Sequence, residues 1–398
     1  MGVLIMLNAK VIGIGQAGNK AVINLLEHGV VNQNDIILIN STLKDIPEKY
    51  REFALKLEGS EGCAKERNIA NNICKMNLQN GNLNVDALMQ AEDSEVIICT
   101  SAEGGTGSGA SSILAQYFSD VLGKTVHMFV FGGFETDVRG LKNTVEWFKE
   151  TSPNYIVEAV CNSKFLPECN GNNLKAEAAA NDEFVERIKI LLGKTIVESE
   201  TNIDDTDLLK LTTTPGFMAI EHGEIGKPKN VEEFNKAVSL IIDNSKSYDV
   251  EPTGQRLGVI LNINDKIADS IDYQFNVIRK KFCEQPIEVF THIQHIDAMP
   301  NSISIIVSGL KMPIEEIQEI YTSYKNRIEA VDKSRDSFFG MDFDTNTDQF
   351  DMDHGTVSVE EINKKKASFF GGSFANNSTV VKPDNSGKFQ NIKKNDEV

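Results

Sequence analysis

Glu103-Gly-Gly-Thr-Gly-Ser-Gly109 follows the apolar run Val96-Ile97-Ile98-Cys99 and precedes the helix-like Ala110-Ser-Ser-Ile-Leu-Ala-Gln-Tyr-Phe118. A strand, a glycine-rich loop and a helix start, in that order, form a backbone cradle for phosphate. Glycine lacks the Cβ that would keep an anion away from successive N–H groups, and the following helix adds unsatisfied N–H groups and the positive end of its dipole. The hydroxyls of Thr106 and Ser108 supply further donors. Glycine-rich loops also make ordinary tight turns, so the neighbours of this one decide what it does.

Strand and helix signals alternate around the loop. Apolar stretches at Ala9-Lys-Val-Ile-Gly-Ile14, Asp35-Ile-Ile-Leu-Ile39, 95–100 and Thr125-Val-His-Met-Phe-Val-Phe131 predict strands, and 20–28, 65–76 and 110–122 predict helices. This alternation belongs to a parallel sheet covered by helices on both faces, with ligands held at the carboxyl ends of its strands. The glycine-rich loops fall at those ends.

The Ala-rich stretch from Ala176 carries Phe184, Ile188 and Leu191 at helical spacing, so a long helix is expected as a spine between two domains. Strand signals at 216–220, 257–263, 287–290 and 303–307, with helix signals at 231–242 and 272–282, predict a smaller α/β unit beyond it. After Pro313, residues Ile314, Ile317, Tyr321, Tyr324, Ile328 and Val331 recur at helical spacing. From Ser334 onward Asp336, Asp342, Asp344, Asp348, Asp351 and Asp353 accumulate, followed by Lys364, Lys365, Lys366, Lys382, Lys388, Lys393 and Lys394. Such a stretch buries no core; it reads either as a solubilising tail or as one that touches an acidic partner, a filament surface or DNA. The expected fold class is α/β. A parallel-sheet nucleotide-binding domain spans 1–175, a central helix 176–200, a second domain 201–311, a C-terminal helix 312–338 and a flexible acidic-then-basic tail 339–398.

A chain of 398 residues, 40% of them hydrophobic, buries ample core. Its net charge of -18 argues against a surface that coats nucleic acid, which demands clustered Lys and Arg, so any DNA link is indirect or confined to the tail. Six cysteines without CxxC spacing fit a reducing cytoplasm and argue against zinc. The opening Met-Gly-Val-Leu-Ile-Met-Leu is too short for a signal sequence, and no segment reaches the length of a membrane span; a cytoplasmic protein without a membrane partner is expected. His292 and His295 lack a third ligand at useful spacing and read as loop residues.

Gly13-Ile-Gly15-Gln-Ala-Gly18 matches G-x-G-x-x-G between a strand and a helix, the fingerprint of dinucleotide-binding oxidoreductases. That chemistry wants Asp or Glu at the end of the second strand to hold the ribose, where this chain has Asn40-Ser41. It also leaves the loop at 103–109 without a role. Two phosphate loops on one sheet suit a nucleotide clamped from both sides.

Gly15-Gln-Ala-Gly-Asn19, the loop at 103–109, Asn162-Ser-Lys-Phe165, Ala180-Asn181-Asp182 and Asn202-Ile-Asp204-Asp-Thr-Asp207 follow one another in an order and spacing that resemble the tubulin/FtsZ superfamily of GTPases. The resemblance implies GTP or GDP as ligand, with Mg²⁺ held mainly by the nucleotide phosphates. It implies that Gly15, Gln16, Ala17, Gly18 and Lys20 line one side of the nucleotide. Glu103, Gly104, Gly105, Thr106, Gly107 and Ser108 would line the other, with Thr106 near the γ-phosphate. Asp137 takes the ribose, and Asn162 and Asn181 read the guanine edge through amides that both donate and accept. Asn202, Asp204 and Asp207 correspond to the synergy loop, whose aspartates polarise water at the next subunit's nucleotide in a head-to-tail homopolymer. Phosphoryl transfer depends mostly on positioning and charge stabilisation, so assembling the site from two chains is an adequate trigger. Taken alone, Asp204, Asp205 and Asp207 read as a helix-capping acidic cluster.

The chain also departs from the family pattern. Glu103 replaces the first glycine of the GGGTGSG signature and either points away from the phosphates or helps to hold Mg²⁺. Lys20 stands where the family has an amide side chain, and the acidic or Gln residues usual in the loop at 40–44 are missing. Lys65 and Arg67 offer γ-phosphate sensors or simply begin a surface helix. Within the superfamily, the divergent loops and Lys-dotted tail are most similar to the TubZ group. This implies dynamic filaments that segregate plasmid or phage DNA through a small DNA-bound adaptor held by the tail. An FtsZ-like division filament, a phage-centring filament and a Rossmann-type oxidoreductase are the alternatives.

Overall fold

A computed structural model describes residues 9–90, 93–197, 199, 203–296 and 299–339. The expectations for the first eight residues, for Asn202 and for the tail from 340 onward lie outside the described residues. The first half alternates strand and helix: β1 (Ala9–Ile14), α1 (Gly15–Glu27), β2 (Ile36–Asn40), β3 (Ala54–Lys56), α2 (Arg67–Gln79), β4 (Glu95–Ser101), α3 (Thr106–Gln116), β5 (Thr125–Gly132), α4 (Val138–Glu150) and β6 (Ile156–Cys161). Then come α5 (Asn173–Leu191), α6 (Asp205–Thr212), β7 (Gly216–Glu224), α7 (Val231–Asp243), β8 (Arg256–Asn262), α8 (Asn276–Phe282), β9 (Glu288–Gln294), β10 (Ser302–Leu310) and α9 (Ile314–Phe339).

All the strands join one sheet in the order β3-β2-β1-β4-β5-β6-β7-β10-β8-β9. From β3 to β7 every pairing is parallel; β10 runs antiparallel to both β7 and β8, and β9 is again parallel to β8. Because side chains alternate along a strand, β1 and β4 send Ile12, Ile14, Val96 and Ile98 to one face and Val11, Ile97 and Cys99 to the other. The first face packs on α2, α3 and α4 through Ala70, Leu114 and Trp147. The second packs on α1 and α5 through Leu25 and Phe184. Both faces are covered, which is why these strands are apolar throughout. Phe184 meets Phe129 and Phe131 edge-on at centroid distances of 4.5 and 5.5 Å, and burying a ring of this kind contributes about 1.5–3 kcal/mol.

The seam between the halves lies where β6 meets β7, with Ile156 opposite Gly216 and Val157 opposite Phe217. Beside it the fully buried Arg187 of α5 reaches Glu158 of β6 at 3.0 Å, Glu183 at 2.6 Å and Glu221 of β7 at 3.8 Å. The spine helix is shorter than the expected 176–200. It begins where the Asn172 side chain accepts from the Lys175 N–H at 3.1 Å, and it ends at Gly193, whose φ of 66° lets Lys194 N–H reach the Lys189 carbonyl. The helix expected over 110–122 starts earlier, at Thr106, inside the glycine-rich loop, and its last turn loosens to a π-turn over Tyr117–Val121. The helix α4 and the strand β6 were not foreseen.

Candidate nucleotide-binding site

The carboxyl ends of β1, β2 and β4 open onto a cavity of about 330 Å³. It is lined by Gly15, Gln16 and Ala17 after β1, Asn40, Ser41 and Asp45 after β2, Gly62 to Lys65 before α2, and Ser101 with Gly104 to Gly107 after β4. Neither α1 nor α3 has a side-chain cap or an acidic residue in its first turn. An uncapped helix start leaves N–H groups without intrahelical partners and concentrates positive partial charge there, so two such starts on one cavity favour an anion. The two loops also touch. Gly15 has φ 74°, and a Cβ on it would lie 2.7 Å from Gly107 N.

A larger cavity of about 370 Å³ lies under the first turn of α9, lined by Asp249, Glu251, Glu315, Glu316 and Glu319 against Lys164. Its carboxylates repel phosphate. Between these two cavities, the charge pattern favours the glycine-lined one for an anionic ligand.

Thr106 Oγ1 and Ser41 Oγ are 2.7 Å apart in the cavity, which ties the start of α3 to the end of β2. Asn19, buried on α1, donates to the Ile39 carbonyl at 3.0 Å and accepts from the Ile39 N–H at 3.2 Å, holding α1 against the same strand. Asp45 lies at the end of a short turn whose start is capped by the Thr42 hydroxyl, and it brings a carboxylate to the cavity. Lys65 reaches the cavity from a loop in which Ala64 and Lys65 both have positive φ, and its ammonium pairs with Asp137. Burial opposes ionisation of Asp137, but the bond from Lys65 and the N–H groups of Gly140 and Arg139 outweigh it and hold the carboxyl below the usual range. Asp137 also caps α4 by accepting from Gly140 N–H at 2.8 Å.

Three residues expected at the nucleotide, Ser108, Glu103 and Gly18, do not line the cavity. Ser108 is fully buried on α3, where its Oγ accepts from Arg67 Nε at 2.6 Å. Because α3 starts at Thr106, Ser108 falls on the packed side of its first turn. Arg67 is itself buried and forks onto Glu150, at 2.9 and 2.7 Å, so it braces the loop from behind and is no phosphate sensor. Glu103 does not line the cavity; its Oε1 accepts from the Glu135 N–H at 2.8 Å. Of the alternatives open for Glu103, the side chain takes the one that points away. Gly18 presses α1 onto β4, where a Cβ would stand 2.0 Å from the Cys99 carbonyl oxygen.

Two strands along the same carboxyl edge from the loop after β4, Asn162 follows β6, and its Oδ1 is buried without a hydrogen-bond partner. A buried amide oxygen in that state calls for a donor from a ligand or water. Asn181 is buried on α5 and donates to the Glu177 carbonyl of its own helix at 2.8 Å, while Lys20 pairs with Glu177 at 3.5 Å. Asp204 caps α6 by accepting from the Asp207 N–H at 2.8 Å.

Residues brought to the site without a warning in sequence include Ser41, Asp45 and Asn143. From α4, Asn143 Nδ2 donates to the carbonyls of Lys65, Glu103 and Gly104 at 2.9, 3.0 and 3.2 Å. Nothing in local spacing flags it. Among the described residues no group of His, Cys, Asp and Glu side chains is placed to hold a metal ion unaided. No helix among them is long and apolar enough to cross a membrane.

Residues 8–161 match the Tubulin/FtsZ family, GTPase domain. The whole fold is similar to the tail-truncated TubZ of Clostridium botulinum phage c-st, with 18% identity, a TM-score of 0.65, and coverage of 81% of this chain and 98% of that one. It is similar also to a GTPγS-form protofilament of TubZ from Bacillus thuringiensis serovar israelensis, at 17% identity and TM-score 0.67 over 83% of this chain and 93% of that one. The GTPγS-bound protofilament of CetZ2 from Haloferax volcanii is similar at 15% identity and TM-score 0.61, covering 82% and 99%.

Proposed function

From a chain whose residues 8–161 match the Tubulin/FtsZ family, GTPase domain, we propose a GTP-dependent filament that hydrolyses GTP where one subunit meets the next. The observation that carries this reading is the convergence of two uncapped helix starts, through Gly15 and Gly107, on a single cavity. The α- and β-phosphates take the N–H groups at the starts of α1 and α3. Thr106 and Ser41 present hydroxyls to the γ-phosphate, and Lys65 an ammonium once the phosphate draws it off Asp137. Asp137 holds the ribose and Asn162, with Asn181, the guanine edge. Mg²⁺ bound by the phosphates would find oxygen donors in Asp45, Ser41 and Thr106, a set that fits its preference for carboxylates, hydroxyls and water. When bound, the ion would supply neutralisation of phosphate charge.

The strand order argues for a shared site. The phosphate loops sit at the carboxyl ends of β1 and β4, whereas α6 leads into β7, parallel to them through β5 and β6, at its amino end. Asp204 and Asp207 therefore belong to the opposite edge of the sheet from their own chain's phosphate loops. Stacking copies head to tail brings them to the neighbour's γ-phosphate, where carboxylates orient the attacking water. The net charge of -18 keeps DNA off the body, so DNA segregation of the TubZ kind, in the cytoplasm, would run through a small DNA-binding adaptor on the Lys-dotted tail.

Light scattering and phosphate release decide the reading. Purified protein with GTP and Mg²⁺ should scatter only above a threshold concentration and release phosphate in proportion to polymer, and NAD should do neither. No GTP-dependent assembly would overturn the filament. Adaptor coupling is tested by mixing filaments with the purified DNA-bound adaptor: filaments of a chain ending at 339 should hydrolyse GTP but fail to carry DNA.

A further inference from the structure

Glu103 stands at the head of the phosphate loop, half-buried, with its carboxylate turned from the cavity. Two glycines make room for it. A Cβ on Gly133 would lie 1.8 Å from Glu103 Cδ, and one on Gly140 would lie 3.2 Å from the same atom. Oε1 accepts from the N–H of Glu135, a residue held at φ 55°, a left-handed conformation that a glutamate adopts only when its surroundings enforce it. The loop so gripped leads in two directions. Gly133 accepts through its carbonyl from Ser163 N–H at 3.2 Å, next to the unpartnered Asn162, and Asp137 follows two residues after Glu135.

We propose that Glu103 is a positioning residue that couples the phosphate loop to the ribose side of the pocket, its carboxylate setting residues 133–137 so that Asp137 is presented to the ribose. The inference rests on GTP occupying the cavity as proposed above. Burial pushes the Glu103 carboxyl above its usual range, and the N–H groups of Glu135 and Phe134 work against that push, as expected of a carboxylate seated on backbone donors. A glycine at this position leaves loop 133–137 without its anchor. The phosphate cradle, held independently by Asn143 and Arg67, is left in place.

The test compares GTP with 2′,3′-dideoxy-GTP, binding each to the full chain by calorimetry. Losing a hydrogen bond to a charged group should make Glu103→Gly bind GTP about tenfold more weakly, while dideoxy-GTP, which lacks the hydroxyls Asp137 would hold, changes by less than about threefold. Glu103→Gln, whose amide oxygen accepts the same N–H, should stay within about threefold of the parent for both. Gly133→Ala puts a methyl in the carboxylate's seat without altering Glu103 and should reproduce the selective loss; it reports independently if Glu103→Gly fails to fold. Unchanged GTP affinity, or an equal loss for both nucleotides in both variants, overturns the proposal. A parent chain that binds no GTP overturns the site assignment beneath it, and the proposal with it.

Discussion

Ser41 Oγ and Thr106 Oγ1 lie 2.7 Å apart, the closest side-chain link between the end of β2 and the start of α3 inside the cavity. One hydroxyl in such a pair is left with a hydrogen to offer outward. If the γ-phosphate receives it, Thr106→Val should weaken GTPγS binding about tenfold and leave GDP almost unaffected, as titration with each nucleotide would reveal. An equal loss for both nucleotides would place Thr106 at the inner phosphates.

Asp204 both caps α6 and stands in the motif assigned to water activation. The two roles separate by substitution. Asp204→Asn keeps an oxygen for the Asp207 N–H and so should keep the melting temperature, yet cut phosphate release in filaments about 100-fold. Asp204→Ala should lose turnover and, in addition, about 1 kcal/mol of stability. In both variants GTP binding persists and filaments become long and static under the electron microscope.

Asn143 holds three carbonyls on two loops with one amide nitrogen. Asn143→Ala leaves those carbonyls unpaired beside the phosphate cradle. Nucleotide affinity should fall about tenfold for GTP and GDP alike, since Asn143 acts through the loop carbonyls it holds. A loss confined to GTP would contradict that role.

The Arg187 cluster makes the seam sensitive to pH. Burial, outweighing the attraction of Arg187, raises the Glu158 carboxyl from 4.5 to about 8. A raised acid contributes stability fully below its ordinary value near 4.5, and that contribution is lost as pH climbs to about 8. Glu158→Gln is neutral throughout. Its stability relative to the parent should therefore rise between pH 5 and 8, by an amount on the order of 2 kcal/mol, in denaturant titrations at several pH values. A constant difference would mean that Glu158 is ionised across the whole range.

The two glycine loops were legible because what matters at Gly15 and Gly107 is a missing Cβ, and a missing Cβ is written in the residue itself. Side-chain direction is not. Ser108 and Thr106 are two residues apart in one loop, yet α3 begins at Thr106 and turns Ser108 into the core, so only one hydroxyl faces the cavity. Asp45, one position beyond the stretch 40–44, brings a carboxylate to the cavity because a capped turn over Leu43–Asp45 carries the chain back toward the pocket. Asn143 was unreadable for a different reason: its partners are 39 to 78 residues away in sequence, and only tertiary packing of α4 unites them. At α5, the Phe184, Ile188 and Leu191 spacing located the helix, while its ends were decided by Asn172 and Gly193, which periodicity ignores.

The seat of Glu103 between Gly133 and Gly140 binds three distant positions into one unit of inheritance. A side chain at 133 displaces the carboxylate from this seat unless 103 has shrunk, and a carboxylate at 103 reaches the seat only while 133 stays bare. Among relatives of this chain the two positions should therefore vary as a pair, with bulk at one excluding bulk at the other. A lineage that acquired the glutamate keeps its carboxylate in this seat only as long as it keeps the glycine.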